Sequence, residues 1–275
     1  MRVRSLEDAA AFVDKVGIAL AWGKVDLVLP SLWEAIAGFD ADWAVRDEAG
    51  KPTGFTPEFD RFWRWKDDLP ERRLVCAGRH FGNAAFLIAP RLLGAAYALT
   101  GRPGTAEDFR DELESLDLEV AEAVLENGPL TGPEIRRVIG TADRKAVDRT
   151  VARLQRRLVL TNAGAVEQSQ GWRAIRQDLL ARRWNRSLRR LPPEDEARRA
   201  LALAVLGAAD ELSAADLAGA LGWRRKQAEA VLDQLADADK AAVHDEEDYK
   251  LWRVKNDRGY TRQSRRGSSV GRAHG

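Results

Sequence analysis

The segment PLTGPEIRRVIG, residues 129–140, marks both ends of a short helix. Thr131 offers an N-cap hydroxyl, Pro133 and Glu134 suit a first turn, Ile135 and Ile139 share a face, and Gly140 suits an exit. The pattern recurs in ELSAADLAGALG, residues 211–222. At one constant offset Leu130, Thr131, Glu134, Ile135, Ile139 and Gly140 meet Leu212, Ser213, Asp216, Leu217, Leu221 and Gly222. A hydroxyl residue followed three positions later by an acid is close to a capping box, in which two free backbone N–H groups are satisfied reciprocally. The chain therefore contains an internal repeat.

The flanks repeat too. An apolar-periodic segment precedes each short helix, LDLEVAEAVLENG in the first copy and EARRALALAVLGAAD in the second. A longer helical pattern follows each, roughly 143–157 and 224–237, and then β-rich fragments about a turn. Helix, tight turn, short helix, Gly turn, third helix and two-stranded ribbon is the order of a winged helix-turn-helix. The sequence thus predicts a mainly α protein with small β elements. Tandem winged helix-turn-helix modules, 106–190 and 191–255, are expected behind an N-terminal α/β segment, 1–105, and before a disordered basic tail, 256–275. The end of that tail, RRGSSVGRAHG, also reads like the translated complement of a transfer RNA gene, and no function is assigned to it.

In such a module the third helix enters the DNA major groove, so its solvent face should carry hydrogen-bond donors. Counting about 100° per residue, Val147, Val151, Leu154 and Leu158 share one side, while Lys145, Arg149, Arg153 and Arg156 share the other. Arg136, Arg137 and Arg144 add to this basic side, as do Arg182, Arg183 and Arg186 in RRWNRSLRR. From Arg136 to Arg190 there are 15 basic residues against Asp143, Asp148, Glu167 and Asp178. In the second copy Glu229, Asp233 and Asp237 fall on the outward face, which phosphate would repel. Double-stranded DNA is the expected partner, and the first copy its expected reader.

Overall composition points less clearly, since the net charge is only +1. A single Cys76 excludes an internal disulfide, and with His80, His244 and His274 it gives no zinc-ligand spacing. No metal and no cofactor is expected. No apolar run approaches the roughly 20 residues that span a bilayer, so a cytoplasmic protein without membrane contact is expected. No heptad run argues for an oligomer, and the oligomeric state stays open.

The N-terminal third does not share the repeat. SLEDAAAFVDKVG reads as a capped helix from Ser5 to about Val16, and DLVLPSLWEAIAG as a strand or turn with a second short helix. The aromatic stretch after it holds FWRWKDDLP, where Trp63 and Trp65 frame Arg64. Both tryptophans are candidates for stacking on a nucleobase, although aromatics at this density more often form core. Lys66 with Asp67 and Asp68 offers an amine and carboxylates for lyase-type chemistry, but three charges before a proline equally suit a solvated turn. Arg79 and His80 are alternative phosphate ligands.

FWRWKDDLP with LIAPRLLGAAYAL after it, the unit ending in GW before an arginine-rich helix, and PPEDEARRALALAVLGAADELSAADLAGALG together resemble the winged-helix proteins grouped around the AlkZ and YcaQ DNA glycosylases. The resemblance covers roughly residues 5–253 and implies DNA binding or base excision. It also implies a catalytic pair of glutamines separated by one apolar residue near the N-terminus. Here the first glutamine is Gln155, and Gln168-Ser169-Gln170 has the spacing with a polar centre, inside the expected wing of the first copy. The expected function is therefore non-catalytic DNA binding through the first module. The alternatives are an AlkZ-like glycosylase with an atypical active site, with Lys66, Asp67, Asp68, Gln168 and Gln170 as its candidates, and a protein-interaction scaffold.

Overall fold

The computed structural model describes residues 3–24, 26–169, 171–245 and 250–255. Gln170 and the expected disordered tail lie outside the described residues. Helices dominate, joined by small antiparallel sheets.

The N-terminal part contains α1 (Leu6–Val16), β1 (Ile18–Leu20), α2 (Leu32–Ala37), β2 (Ala44–Arg46), β3 (Pro52–Phe55), α3 (Pro57–Glu71), β4 (Cys76–Gly78), β5 (Phe86–Ile88) and α4 (Pro90–Ala98). Ser5 caps α1, its Oγ accepting from the Asp8 N–H at 3.1 Å while the Asp8 carboxylate accepts from the Ser5 N–H at 3.1 Å. Strands β1, β5 and β4 form one antiparallel sheet in that order. Side chains alternate across a strand, so the sheet feeds two cores. Ala19, Ala77 and Leu87 point into the N-terminal cluster with Val13, Leu32 and Phe62. Ile18, Leu20, Cys76, Phe86 and Ile88 point the other way, into a core that also holds Tyr97 of α4.

The first repeat copy comprises α5 (Ser115–Asn127), β6 (Leu130–Thr131), α6 (Gly132–Val138), α7 (Arg144–Arg156), β7 (Leu160–Val166), β8 (Ala174–Leu179) and the short α8 (Leu180–Arg183). The second comprises α9 (Glu194–Ala209), β9 (Glu211–Leu212), α10 (Ala214–Leu221), α11 (Arg225–Asp237), β10 (Ala241–Asp245) and β11 (Lys250–Val254). Strand order corresponds as well, β6–β8–β7 in one and β9–β11–β10 in the other, all antiparallel. Both capping boxes form. The Thr131 N–H donates to Glu134 Oε2 at 2.7 Å, and the Ser213 N–H donates to Asp216 Oδ2 at 2.9 Å. The exits at Gly140 (φ +71°) and Gly222 (φ +67°) use the left-handed region that glycine enters without strain.

The first copy has its own core of Val120, Val124, Ile135, Val147, Leu154 and Leu160. The second does not. Leu201, Val205, Leu217, Leu232 and Trp252 share one continuous cluster with Ile18, Phe86 and Tyr97 of the N-terminal part. The hydrophobic core therefore runs across the division expected near residue 105.

Two local readings are corrected. FWRWKDDLP is no turn: α3 continues through Pro70 to Glu71. A proline in the last turn forfeits one backbone donor, while the buried Phe59, Phe62 and Leu69 hold the helix against its core. The arginine-rich helix after GW is likewise only Leu180–Arg183.

Candidate nucleic-acid interface

Helix α7 begins at Asp143, whose carboxylate accepts from the Ala146 N–H at 2.9 Å. Val147 and Leu154 are fully buried, and the opposite side exposes Arg144, Lys145, Arg149, Arg153 and Arg156. These cations are not equivalent. Arg153 is bound bidentately to Asp117, with Nε donating at 2.7 Å, and the carboxylate beside it raises the guanidinium further above its ordinary pKa. Arg144 faces Asp148 at 3.4 Å. Arg156 Nη1 donates to Asn83 Oδ1 at 3.1 Å. Among the described residues no carboxylate lies within ion-pair distance of Lys145 or Arg149. On α6, Arg137 is exposed and Arg136 half-buried.

Beside α7 lies an open cleft of about 360 Å³, lined by Arg79, Asn83, Asp148, Arg149, Ala152, Arg153 and Arg156. Its far wall is the loop between β4 and β5. Gln155 fastens that loop to α7: its Oε1 accepts from the Arg79 N–H at 2.9 Å, and its backbone carbonyl stands 3.0 Å from His80 Nδ1. A carbonyl only accepts, so the imidazole proton sits on Nδ1. Gln155 Nε2 donates to Asn162 Oδ1 and Gln177 Oε1, each at 2.7 Å. His80 Nε2 faces Cys76 Sγ at 3.4 Å, and the Thr161 hydroxyl donates to the Ala77 carbonyl at 2.9 Å. Burial pushes the His80 imidazole down to about 4 and the Cys76 thiol up to about 12, so both are neutral near pH 7. His80 thus positions the loop from inside and is no phosphate ligand.

The other candidates have intramolecular work. Arg182 donates to the Val124 and Leu125 carbonyls at 2.9 and 2.8 Å and to Asp178 at 2.6 Å. Arg183 is buried, donating to the Pro70 and Glu71 carbonyls. Neither is free for a phosphate, whereas Arg186 is exposed. The carbonyls they hold lie 57 to 113 positions away in sequence, so spacing alone gave no sign of them.

Lys66 Nζ donates to Asp67 at 2.8 Å and sits 4.0 Å from the Trp63 ring centroid. Both contacts engage the amine that a Schiff base would need. The Asp67 carboxyl is buried, and desolvation raises its pKa despite Lys66 and Arg173. Arg173 lies 3.6 Å from both Asp67 and Asp68 and 3.0 Å from Glu167. The β7–β8 hairpin is thereby clamped to α3. Trp63 stacks on Phe59 and meets Trp172 of that hairpin, with centroids 5.5 and 4.8 Å away. Trp65 packs against the N-terminal core. Trp172 itself is 57% exposed, and Gln168 is exposed in the loop after β7. The residues that spacing missed are Asn83, Arg173 and the Gln155–Asn162–Gln177 cluster; Gln155 alone gave a hint, as a polar residue beside the apolar stripe of α7.

Among the described residues no three His, Cys, Asp or Glu side chains gather as a metal would require, and no helix is long and apolar enough to cross a membrane.

The basic helix α7 belongs to a helix-and-sheet unit whose element and strand order occurs twice in the chain. Residues 3–220 match the family model described as AlkZ related, and the chain belongs to that family. No curated protein matches it. Among solved structures, the DNA glycosylase AlkZ of Streptomyces sahachiroi aligns over 90% of this chain and 64% of its own, with a TM-score of 0.51 and 15% identity. That likeness is one of fold, and this chain spans less than two thirds of that AlkZ chain. The DIP2311 protein from Corynebacterium diphtheriae aligns over 82% of this chain and 38% of its own at 16% identity, with a TM-score of 0.23.

Proposed function

We propose that this protein binds duplex DNA without excising bases, through two winged-helix modules of which the first makes the contact. The shared element and strand order of the two repeat copies supports the winged-helix reading, with modules at about 106–190 and 191–255 behind the N-terminal segment. The observation that carries the function is the exposed face of α7, where Lys145 and Arg149 stand without carboxylate partners among the described residues. Arg136 and Arg137 of α6, which packs on α7, and the exposed Arg186 are further candidate contacts. Cations held on a rigid helix release counterions from DNA, giving steep salt dependence and sequence-independent affinity.

The test is a gel shift on random duplex over a salt series. Lys145→Glu with Arg149→Glu should abolish the shift near physiological salt, and unchanged affinity would refute the reading. Absence of binding by the wild type at low salt would favour the scaffold alternative.

Membership of the AlkZ-related family supports a second reading, a repair enzyme acting on alkylated or crosslinked bases. Release of free base from duplex carrying N7- or N3-alkylated purines would establish it. No release across several lesions would leave the binding reading alone.

A further inference from the structure

We propose that the β4–β5 loop and α7 together form a phosphodiester-binding cleft, in which Arg79 and Asn83 join Arg149 and Arg156 around one backbone phosphate. This rests on the duplex-binding reading and extends it to the N-terminal part of the chain, which becomes half of the DNA site.

Charge is the first support. Four arginines line the cleft with a single carboxylate, that of Asp148. Asp148 is already met by Arg144 at 3.4 Å, and Arg153 is neutralised by Asp117. Arg79, Arg149 and Arg156 remain without a carboxylate within ion-pair distance among the described residues. Three guanidinium forks around one concavity suit a tetrahedral oxyanion, because each presents parallel N–H donors. Asn83 strengthens the match: its Oδ1 is occupied by Arg156, which leaves the Nδ2 donors for an incoming acceptor.

Preorganisation is the second. The backbone at Arg79 and the ring of His80 are both fastened to Gln155, whose amide is in turn held by Asn162 and Gln177. Gly78 makes this approach possible, since a Cβ there would lie 2.8 Å from the His80 ring. The Arg79 guanidinium thus projects from a fixed base, which limits the entropy lost on binding. The openness of the cleft along α7, continuous with Arg149 of the exposed face, suits a phosphate within a strand rather than a free ion.

The experiment uses the full chain and a fluorescein-labelled random duplex, with anisotropy titrations across a sodium chloride series. Arg79→Ala and Asn83→Ala are compared with Arg4→Ala, an exposed arginine outside the cleft, after matching thermal melts confirm folding. The Arg79→Ala side-chain loss leaves the backbone bond to Gln155 in place. Expected are binding about five- to tenfold weaker and a salt slope lower by about 0.9, one phosphate's worth. A methylphosphonate scan of the duplex should find a position where neutralisation weakens the wild type and leaves Arg79→Ala unaffected. Wild-type binding with Arg79→Ala indistinguishable from Arg4→Ala would overturn the cleft while sparing the proposed function. A wild type that ignores the duplex at low salt would overturn both. Inorganic phosphate that raises the melting temperature only when Arg79 is present, with duplex affinity unchanged, would overturn the assignment in favour of a small-anion site.

Discussion

Acidification from pH 7 to 4.5 should destabilise this protein through His80 in particular. The imidazole is 3% exposed, donates from Nδ1 to the Gln155 carbonyl and titrates at about 4 instead of 6.5. A base whose pKa is depressed by folding takes up its proton more readily in the unfolded chain. Its stabilising contribution is therefore complete above pH 6.5, declines as pH falls between 6.5 and about 4, and is gone below that. At about 1.4 kcal/mol per pH unit the full effect is ~3 kcal/mol, of which about 2 kcal/mol is lost by pH 4.5. Urea unfolding at pH 7, 6, 5 and 4.5 should be run on the wild type and on His80→Asn, whose amide retains a donor but does not titrate. The Asp67 carboxyl, raised by burial, acts in the opposite sense, favouring the fold below its unfolded pKa and losing that contribution as pH rises. Being common to both proteins, it cancels in the comparison. The wild type should lose about 2 kcal/mol more than the variant over this range. Parallel profiles, within about 0.5 kcal/mol, would refute the buried neutral imidazole.

Three further outcomes are expected. Gly164→Ala, at φ +98° with a Cβ position only 2.7 Å from Glu71 Cβ, should cost about 2–3 kcal/mol in urea unfolding, whereas Gly171→Ala, at φ +84° in open space, should cost about 1 kcal/mol. Arg183→Met should lower thermal stability by about 2 kcal/mol, because the Pro70 and Glu71 carbonyls lose the guanidinium while Asp178 keeps Arg182, and should leave duplex affinity unchanged below the melting transition. Arg153→Gln should weaken duplex binding less than Arg149→Gln, because Asp117 already neutralises Arg153; equal losses in anisotropy titrations would contradict that ranking.

Features written within one turn of chain were legible in sequence. Thr131 with Glu134, and Ser213 with Asp216, specify their caps through contacts three residues apart, and the apolar stripe of α7 follows from its period alone. Pro70 misled because proline as a breaker is a local tendency, and here the burial of Phe62 and Leu69 outweighs it. The arginines divided on information that local spacing does not hold. Arg149 and Arg183 carry the same charge in the same basic region, yet one meets solvent and the other the end of α3, more than a hundred residues earlier. Asn83 escaped notice because its partner, Arg156, is 73 positions away.

The hairpin clamped onto α3 limits how far this chain can be treated as interchangeable parts. A first repeat copy excised at residue 105, or grafted into a related scaffold, would carry away Arg173 without Asp67 and Asp68, and Arg183 without the carbonyls of Pro70 and Glu71. Each cation would keep one carboxylate of its own unit, Glu167 or Asp178, but lose every contact it makes with α3. Chimeras should therefore be cut so that residues 57–71 travel with 115–183, a boundary that follows the ion pairs and not the repeat.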